Sequence, residues 1–312
     1  MKLISIIVPV YNCEKYLDDC FMSIEKQDFD KDSYEVIIIN DGSKDNSLQL
    51  IKKYCSKNKN WRYIDQNNQG LSMARNNGLE LVKSEYVTFL DSDDTLPTDA
   101  LSNLYNSIIE NSADVVIGGL INYNSAGYYD NYTSKYLVKM YDVSYKNYKH
   151  LLNFVHSAGK LYRYSSVKNI KFIKGLKHED NYYTGKIYLN NYKINMINKI
   201  VYNHRIREGN DKSITQSMNY SSYVDYLENI DCLIKENNYN YIFTKTYILK
   251  IYNYILRFVE YNHAKEAKEK AKELIGKMIN KTNCSYIRNK YLIILNTLLN
   301  WNIKKLKKIR RG

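Results

Sequence analysis

The sequence predicts an α/β fold: a mixed, mainly parallel sheet flanked by helices, followed by an all-helical C-terminal extension. Three observations carry this reading. Over the first 120 residues, short apolar runs alternate with helix-spaced segments, as in a parallel sheet joined by crossover helices. Polar and acidic residues gather where those apolar runs stop. Beyond about residue 217 the apolar spacing turns helical and stays so to the end.

Taken in order, Leu3–Val8 is apolar and rich in β-branched residues, as a strand buried on both faces requires. Glu14–Gln27 puts Tyr16, Leu17, Cys20, Phe21 and Ile24 at helical spacing. Glu35–Asn40 is the next strand, and Asp45–Tyr54 the next helix, with Asp45 or Ser43 as its cap. Arg62–Asp65 and Glu85–Leu90 read as strands on either side of a helix over Ser72–Val82. Pro97–Asn111 reads as a helix with proline in its first turn, and Asp114–Gly118 as a fifth strand. Residues 120–150, rich in Tyr, Asn and Ser, predict loops and antiparallel strands. Short helices are expected over Val143–Tyr188 and a strand over Lys199–Arg207. Four helical stretches follow: Tyr223–Asn237, Tyr241–Glu260, Ala264–Asn280 and Tyr286–Ile309. The expected domains are residues 1–216, with halves of about 1–118 and 119–216, and a helical region over 217–312.

Composition narrows the function classes. With 44% hydrophobic and 25% charged residues, the chain is ordinary globular protein, which excludes disorder and low complexity. No apolar run approaches the roughly 20 residues of a membrane span. The start resembles a signal peptide but lacks a small-residue cleavage site and runs into Pro9-Val10-Tyr11-Asn12, so it reads as a strand. Five cysteines without a Cys-x-x-Cys pair argue against a disulfide scaffold or zinc site and point to a reducing cytoplasm. The net charge of +13 calls for a polyanionic partner: nucleic acid, an anionic membrane surface or a phosphorylated substrate. The 33 tyrosines reflect compositional bias and carry no functional argument.

In open α/β sheets, ligands bind beyond the carboxyl ends of the strands. Three such ends are polar: Pro9-Val10-Tyr11-Asn12, Asn40-Asp41-Gly42-Ser43 and Asp91-Ser92-Asp93-Asp94. Acids at two neighbouring strand ends repel one another unless a divalent cation or ribose hydroxyls relieve them. The plain alternative is that Asp41 and Asp94 cap the helices that follow. No glycine-rich dinucleotide or Walker motif is present, and no His-Glu-x-x-His or Gly-x-Ser-x-Gly. A metal-dependent nucleotide site without a glycine cradle remains, in which Mg2+ or Mn2+ binds one or two carboxylates plus substrate phosphates.

Four segments in order carry a resemblance: Ser5-Ile-Ile-Val-Pro-Val-Tyr-Asn12, Ile39-Asn-Asp-Gly-Ser-Lys-Asp-Asn-Ser47, Asn68-Gln-Gly-Leu-Ser-Met-Ala-Arg-Asn-Asn-Gly78 and Tyr86-Val-Thr-Phe-Leu-Asp-Ser-Asp-Asp94. Together they resemble a bacterial family 2 glycosyltransferase of the GT-A fold, of the capsule, polysaccharide or glycoconjugate type. The likeness covers roughly residues 1–215. It implies an inverting, metal-dependent transfer of a hexose from a UDP-sugar to a glycan or lipid-linked saccharide. The first half would bind the nucleotide sugar and the second the acceptor.

Residue by residue, the resemblance implies that Pro9 and Tyr11 line the base pocket and Asp41 accepts from the base edge. Arg75 would face the nucleotide or its phosphates, against the plain alternative of a surface salt bridge. Asp91 and Ser92 would lie near the ribose and Asp93 on the metal. Gly175-Leu-Lys-His-Glu-Asp-Asn-Tyr-Tyr183 matches the family's Glu-Asp segment. Asp180 would be the base and Glu179 would hold the acceptor; otherwise the two cap a helix. Lys160 would face the diphosphate or acceptor. In Tyr202-Asn-His-Arg-Ile-Arg207, His204 would be a further metal ligand, and Arg205 and Arg207 would neutralise the leaving diphosphate. The Asn-His pair before Arg205 departs from the common family form.

The end of the chain, Lys304-Lys-Leu-Lys-Lys-Ile-Arg-Arg311, holds six basic residues beside Trp301 and an apolar stripe. This composition suits an interfacial helix on an anionic leaflet, placing the enzyme peripherally on the inner face of the cytoplasmic membrane. The alternatives are a solvated helix end or a homodimer contact. Two rival functions remain: a nucleotidyltransferase, which lacks its basic glycine-rich loop here, and a non-enzymatic basic protein binding membrane or nucleic acid. No nucleic-acid motif supports the latter.

Overall fold

The computed structural model describes residues 2–130, 133–209, 213, 216, 220–236 and 264–281. The chain divides into two compact units, Met1–Gly175 with Tyr183–Gln216, and Leu176–Tyr182 with Ser217–Gly312. The short segment carrying Glu179 and Asp180 thus belongs with the second unit, whereas the sequence reading put it in the first domain.

The first unit is built on one sheet. Strands β1 (Ile4–Val10), β2 (Tyr34–Asn40), β3 (Trp61–Asp65) and β4 (Tyr86–Phe89) are mutually parallel in the order β3-β2-β1-β4. Every residue of β1 is buried, so helices cover both of its faces. Helices α1 (Glu14–Glu25), α2 (Ser47–Lys57), α3 (Leu71–Glu80) and α4 (Ala100–Glu110) make the crossovers. On one face, Phe21 of α1 meets Tyr54 and Trp61 edge-on at 4.9 and 5.2 Å between ring centres. α3 lies so close to β1 that a Cβ on Gly78 would fall 2.5 Å from Ile7 Cγ2.

The sheet continues with strands of mixed direction. β7 (Lys160–Arg163) is antiparallel to both β4 and β5 (Val115–Asn124). β5 is long enough to serve three partners. One edge takes β7 and then β6 (Gly127–Asp130) in an antiparallel hairpin, and the other takes β8 (Ile194–Arg205) in parallel. Short helices α5 (Tyr164–Val167) and α6 (Asp180–Leu189) complete the region, with the unit boundary falling in the first turns of α6.

Several local expectations are corrected. Pro97 precedes α4 rather than starting it; its carbonyl accepts the Ala100 N–H at 3.1 Å and the Gln27 amide at 2.7 Å. Neither Asp45 nor Ser43 is the cap of α2, whose cap is Asn46; Asp45 instead accepts from the Ser47 N–H and the Glu14 N–H. The region expected to hold short helices contains strand β7, because its partners lie far away in sequence. The antiparallel pairing expected beyond residue 120 is present, but its first strand is the continuation of β5, which runs unbroken to Asn124.

In the second unit, α7 (Tyr220–Glu236) buries Tyr223, Tyr226, Leu227, Ile230, Leu233 and Ile234 on one face. Helix α8 (Ala264–Lys281) packs against it and buries Ala271, Leu274 and Ile275. The expected helices over Tyr241–Glu260 and Tyr286–Ile309, and the basic tail, lie outside the described residues. Among the described residues no helix is long and apolar enough to cross a membrane.

Candidate active site

The carboxyl ends of β1, β2 and β4 form one rim. β1 runs through buried Pro9 to Tyr11, which is 49% exposed. Asn12, in the left-handed region at φ 49°, accepts the Lys44 N–H at 2.8 Å and donates its own N–H to Ser43 Oγ. Asp41 N–H returns to the Val10 carbonyl at 2.8 Å. The Asp41 carboxylate does not cap the next helix. Its oxygens accept from Gln66 Nε2 at 2.7 Å, Gln69 N–H at 2.8 Å and Gly70 N–H at 2.8 Å. Three of about four acceptor positions are therefore filled, which ties the start of α3 to the β2 end and leaves one for a ligand. Gly42 makes the turn possible: its φ is 73°, and a Cβ there would lie 2.8 Å from the Asn68 nitrogen.

The turn after β4 carries the acids. Asp91 accepts from Arg75 Nη2 at 2.6 Å. Arg75 is 1% exposed, with its guanidinium over the Phe172 ring at 5.3 Å. It is thus a buried support under Asp91, neither a surface salt bridge nor a group facing out to a nucleotide. Asp93 Oδ2 accepts Arg207 Nε at 2.9 Å and Nη2 at 2.8 Å. Arg205 donates Nε to the Asp93 carbonyl at 2.8 Å and pairs with Asp19 at 2.8 Å. Both guanidiniums lie over the Tyr16 ring, at 5.1 and 4.9 Å, and Arg205 also lies over Tyr123 at 4.7 Å.

Asp94 points inward. It is 2% exposed, and its oxygens accept the Tyr202 hydroxyl at 2.6 Å and the Arg205 N–H at 2.7 Å. Burial, then the charges of Asp93 and Asp91, push its carboxyl well above the usual range. The same burial, with Asp94 beside it, pushes the Tyr202 phenol far up. Ser92 is buried in this turn. Cys13, raised chiefly by burial, lies among Ser92, Asp93 and Arg207 and is an inert thiol rather than a nucleophile.

His204 is held by a bond between Nδ1 and Asn122 Oδ1 at 3.0 Å. Burial lowers its pKa against the opposing pull of Asp93 and Asp91, which favours neutral imidazole. With Nδ1 donating to Asn122, Nε2 is left as the acceptor, the state a metal-ligating histidine adopts. Each of Asp93 and His204 thus has the chemistry of a ligand for a divalent cation. Among the described residues no three His, Cys, Asp or Glu side chains converge on one point. A cation here fits when substrate phosphate oxygens complete its shell, as Mg2+ sites do.

Lys160 is 1% exposed, and its ammonium donates to the His156 carbonyl. It braces the inner wall rather than facing a ligand. In the second unit, Glu179 is buried and Asp180 opens α6. Their loop is fixed by Lys177 N–H to Asp225 at 3.2 Å and by Asn229 Nδ2 to the Lys177 carbonyl at 2.9 Å. His178 sits at φ 60° against Tyr226, and burial lowers its pKa.

The first unit thus brings Pro9, Tyr11, Asp41, Asp91, Ser92, Asp93, His204, Arg205 and Arg207 to one end of the sheet. Sequence reasoning missed Asp94, Tyr202, Asn122, Tyr16 and Tyr123. The third acid of Asp91-Ser-Asp-Asp94 was a signal for Asp94; nothing local marked Tyr202, whose place depends on β8 lying beside β5.

Comparison with known proteins agrees with this architecture. The family model for glycosyl transferase family 2 matches residues 5–171. GlyA, a glycosyltransferase of Streptococcus pneumoniae serotype 4, is 37% identical over 216 residues, covering 66% of this chain and 31% of that protein. GlyG of the same organism is 30% identical over 221 residues, covering 67% of this chain and 72% of that one. The match to GlyA therefore spans less than a third of that relative's length. The crystal structure of S. aureus TarS 1–349 in complex with UDP-GlcNAc gives a TM-score of 0.76 at 24% identity, covering 100% of this chain and 92% of that one. That likeness shows the fold, GT-A. The chain belongs to glycosyl transferase family 2.

Proposed function

We propose that this enzyme moves a hexose from a UDP-sugar to a hydroxyl of a glycan or lipid-linked saccharide, with inversion and the help of Mn2+ or Mg2+. The observation that carries the reading is the pairing of Asp93 with the Arg207 guanidinium, with Arg205 on the Asp93 carbonyl and Asp91 two residues away, at the ligand end of the sheet. Opposite charges gathered in one half-buried crevice suit a diphosphate and its counter-ion. The complex of the structural relative TarS with UDP-GlcNAc supports UDP as the nucleotide.

In this reading Pro9 and Tyr11 line the base, and the remaining acceptor position of Asp41 takes a base N–H. Asp91, steadied by Arg75, and Ser92 lie at the ribose. Asp93 and His204 would hold the cation, which when bound supplies charge neutralisation to the leaving diphosphate. Arg205 and Arg207 add charge-assisted hydrogen bonds to the same oxygens. Asp180 takes the proton of the acceptor hydroxyl as its oxygen attacks the anomeric carbon, while the bond to the diphosphate breaks on the opposite face. Glu179 positions the acceptor. One base and one attacking face give inversion; a retaining mechanism of the glycosidase kind needs a second carboxyl. The basic tail would dock the enzyme on the inner face of the cytoplasmic membrane, near a lipid-linked acceptor.

Family membership sets aside the nucleotidyltransferase and the non-enzymatic binding protein. The test is a panel of UDP-, GDP- and dTDP-sugars assayed for Mn2+-dependent hydrolysis without acceptor. Turnover of a UDP-hexose, lost with EDTA, is the expected result. Preference for another nucleotide, or equal rates in EDTA, would overturn the corresponding part of the proposal.

A further inference from the structure

We infer that Asp94 and Tyr202 are positioning residues, which lock the donor-binding turn and the guanidinium segment into one rigid piece. This rests on the donor reading above. The turn over Asp91–Thr95 and the end of β8 are separated by about 110 residues, yet an unbroken set of bonds joins them. Asp91 N–H donates to Tyr202 Oη at 3.1 Å, and the Tyr202 hydroxyl donates onward to Asp94 Oδ2 at 2.6 Å. The other Asp94 oxygen accepts the Arg205 N–H at 2.7 Å. Beside them, Thr95 and Asn203 exchange backbone bonds at 3.1 and 2.9 Å, and Asn203 Nδ2 donates to Thr95 Oγ1 at 3.2 Å.

Asp94 is thus the odd member of the acidic run. Asp91 and Asp93 present carboxylates to the crevice, side-chain exposures 32% and 16%, while Asp94 is 2% exposed. Both its oxygens accept from β8, so it faces inward rather than toward a substrate. Tyr202 is likewise 1% exposed. A buried carboxyl and phenol are costly beside an apolar pair of the same size, unless each polar atom is satisfied. Here the hydroxyl is satisfied on both sides. It accepts from the backbone of the first acid and donates to the third. The spacing between Asp91, Asp93 and Arg205 is therefore held by this set of bonds, with the Tyr202 oxygen joining the first acid to the third.

The decisive variant is Tyr202→Phe, which removes that atom and keeps the ring. Full-length protein would be titrated with UDP by calorimetry, once with Mn2+ and once with EDTA. With Mn2+, affinity should fall about tenfold, the worth of a hydrogen bond to a carboxyl. In EDTA, where contacts to the base dominate, it should change less than about twofold. Asp94→Asn keeps a carbonyl for the Arg205 N–H and an amide that can donate to Tyr202, and should retain most of the Mn2+-dependent affinity. If Tyr202→Phe folds and binds UDP with Mn2+ as the wild type does, the inference fails while the donor reading stands. If both affinities fall together with melting temperature, the pair serves stability and the inference also fails. Absence of UDP binding by the wild type would remove the donor reading and this inference with it.

Discussion

The two halves of the sheet differ in how they are made and in what they bring to the crevice. Strands β1 to β4 are parallel neighbours joined by single crossover helices, and their ends supply Asp41, Asp91 and Asp93. Strands β5 to β8 pair in mixed directions, and apart from the β5–β6 hairpin across long stretches of sequence; β8 and the two residues after it supply His204, Arg205 and Arg207. The first half is an acidic rim and the second a basic one. Neither suits a nucleotide diphosphate alone: the acids would repel it, and the guanidiniums would lack the buried frame that aims them. The site exists because one half neutralises the other.

The largest expected effect would come from neither half. Asp180→Asn keeps size and hydrogen bonding but removes the proposed proton acceptor, so transfer should fall about 10²–10⁴-fold with donor binding retained. Near wild-type turnover in a single-turnover assay would move the base to Glu179. Within the acidic rim, Asp93→Ala should lower transfer by about 10²–10³-fold, the scale of removing one charge-stabilising group. It should also abolish the gain in UDP affinity that Mn2+ confers. Unchanged UDP affinity in Mn2+ titrations would break the division of labour between the rims. On the basic side, Arg207→Gln should weaken UDP binding about ten- to a hundredfold, as expected for charge-assisted bonds. Combined with Asp93→Ala, the losses should be less than additive, because the two side chains touch. Strict additivity in a double-mutant cycle would mean that the pair acts through separate ligand atoms.

A smaller effect separates frame from charge. Gly78→Ala should cost about 1–3 kcal/mol of stability, since the new methyl would press on Ile7 between α3 and β1. Denaturant unfolding measures it, and a neutral result would show that the first half yields easily. Smallest is a pH effect outside both halves. Burial lowers the folded-state pKa of His178, so the unfolded chain takes up its proton first as pH falls below about 6.5. Stability should therefore drop from there until the folded-state pKa is passed. His178→Asn tolerates the left-handed backbone and should flatten this drop, as urea midpoints at pH 7.5 and 5.5 would reveal.

The halves also differ in how much of them could be read beforehand. Each strand of the first half is a compact apolar run next to its own helix, so local pattern was enough to find it. The acids were legible for the same reason: they stand where those runs stop. β7 was not, since its identity as a strand depends on partners far off in sequence. Arg205 and Arg207 were visible as basic residues, but their place against Asp93 follows from the parallel pairing of β8 with β5. The inward turn of Asp94 had no local signal beyond a third acid in the run. For Arg75 and Lys160, charge suggested exposure, whereas burial beside a carboxylate and a carbonyl decides their roles.

The position of β5 between its partners has a consequence for how the chain comes together. The parallel half closes through short loops, each costing little chain entropy. Pairing Val115 with Ile194 closes a loop of about 80 residues, so the second half, and its charges with it, is expected to join after the first. During that interval the nascent rim holds its acids without Arg205 and Arg207. Mutual repulsion among Asp91, Asp93 and Asp94 then opposes further compaction, and docking of β8 relieves it. The last strand to arrive is both the seal on the sheet and the counter-charge that makes its ligand end tolerable.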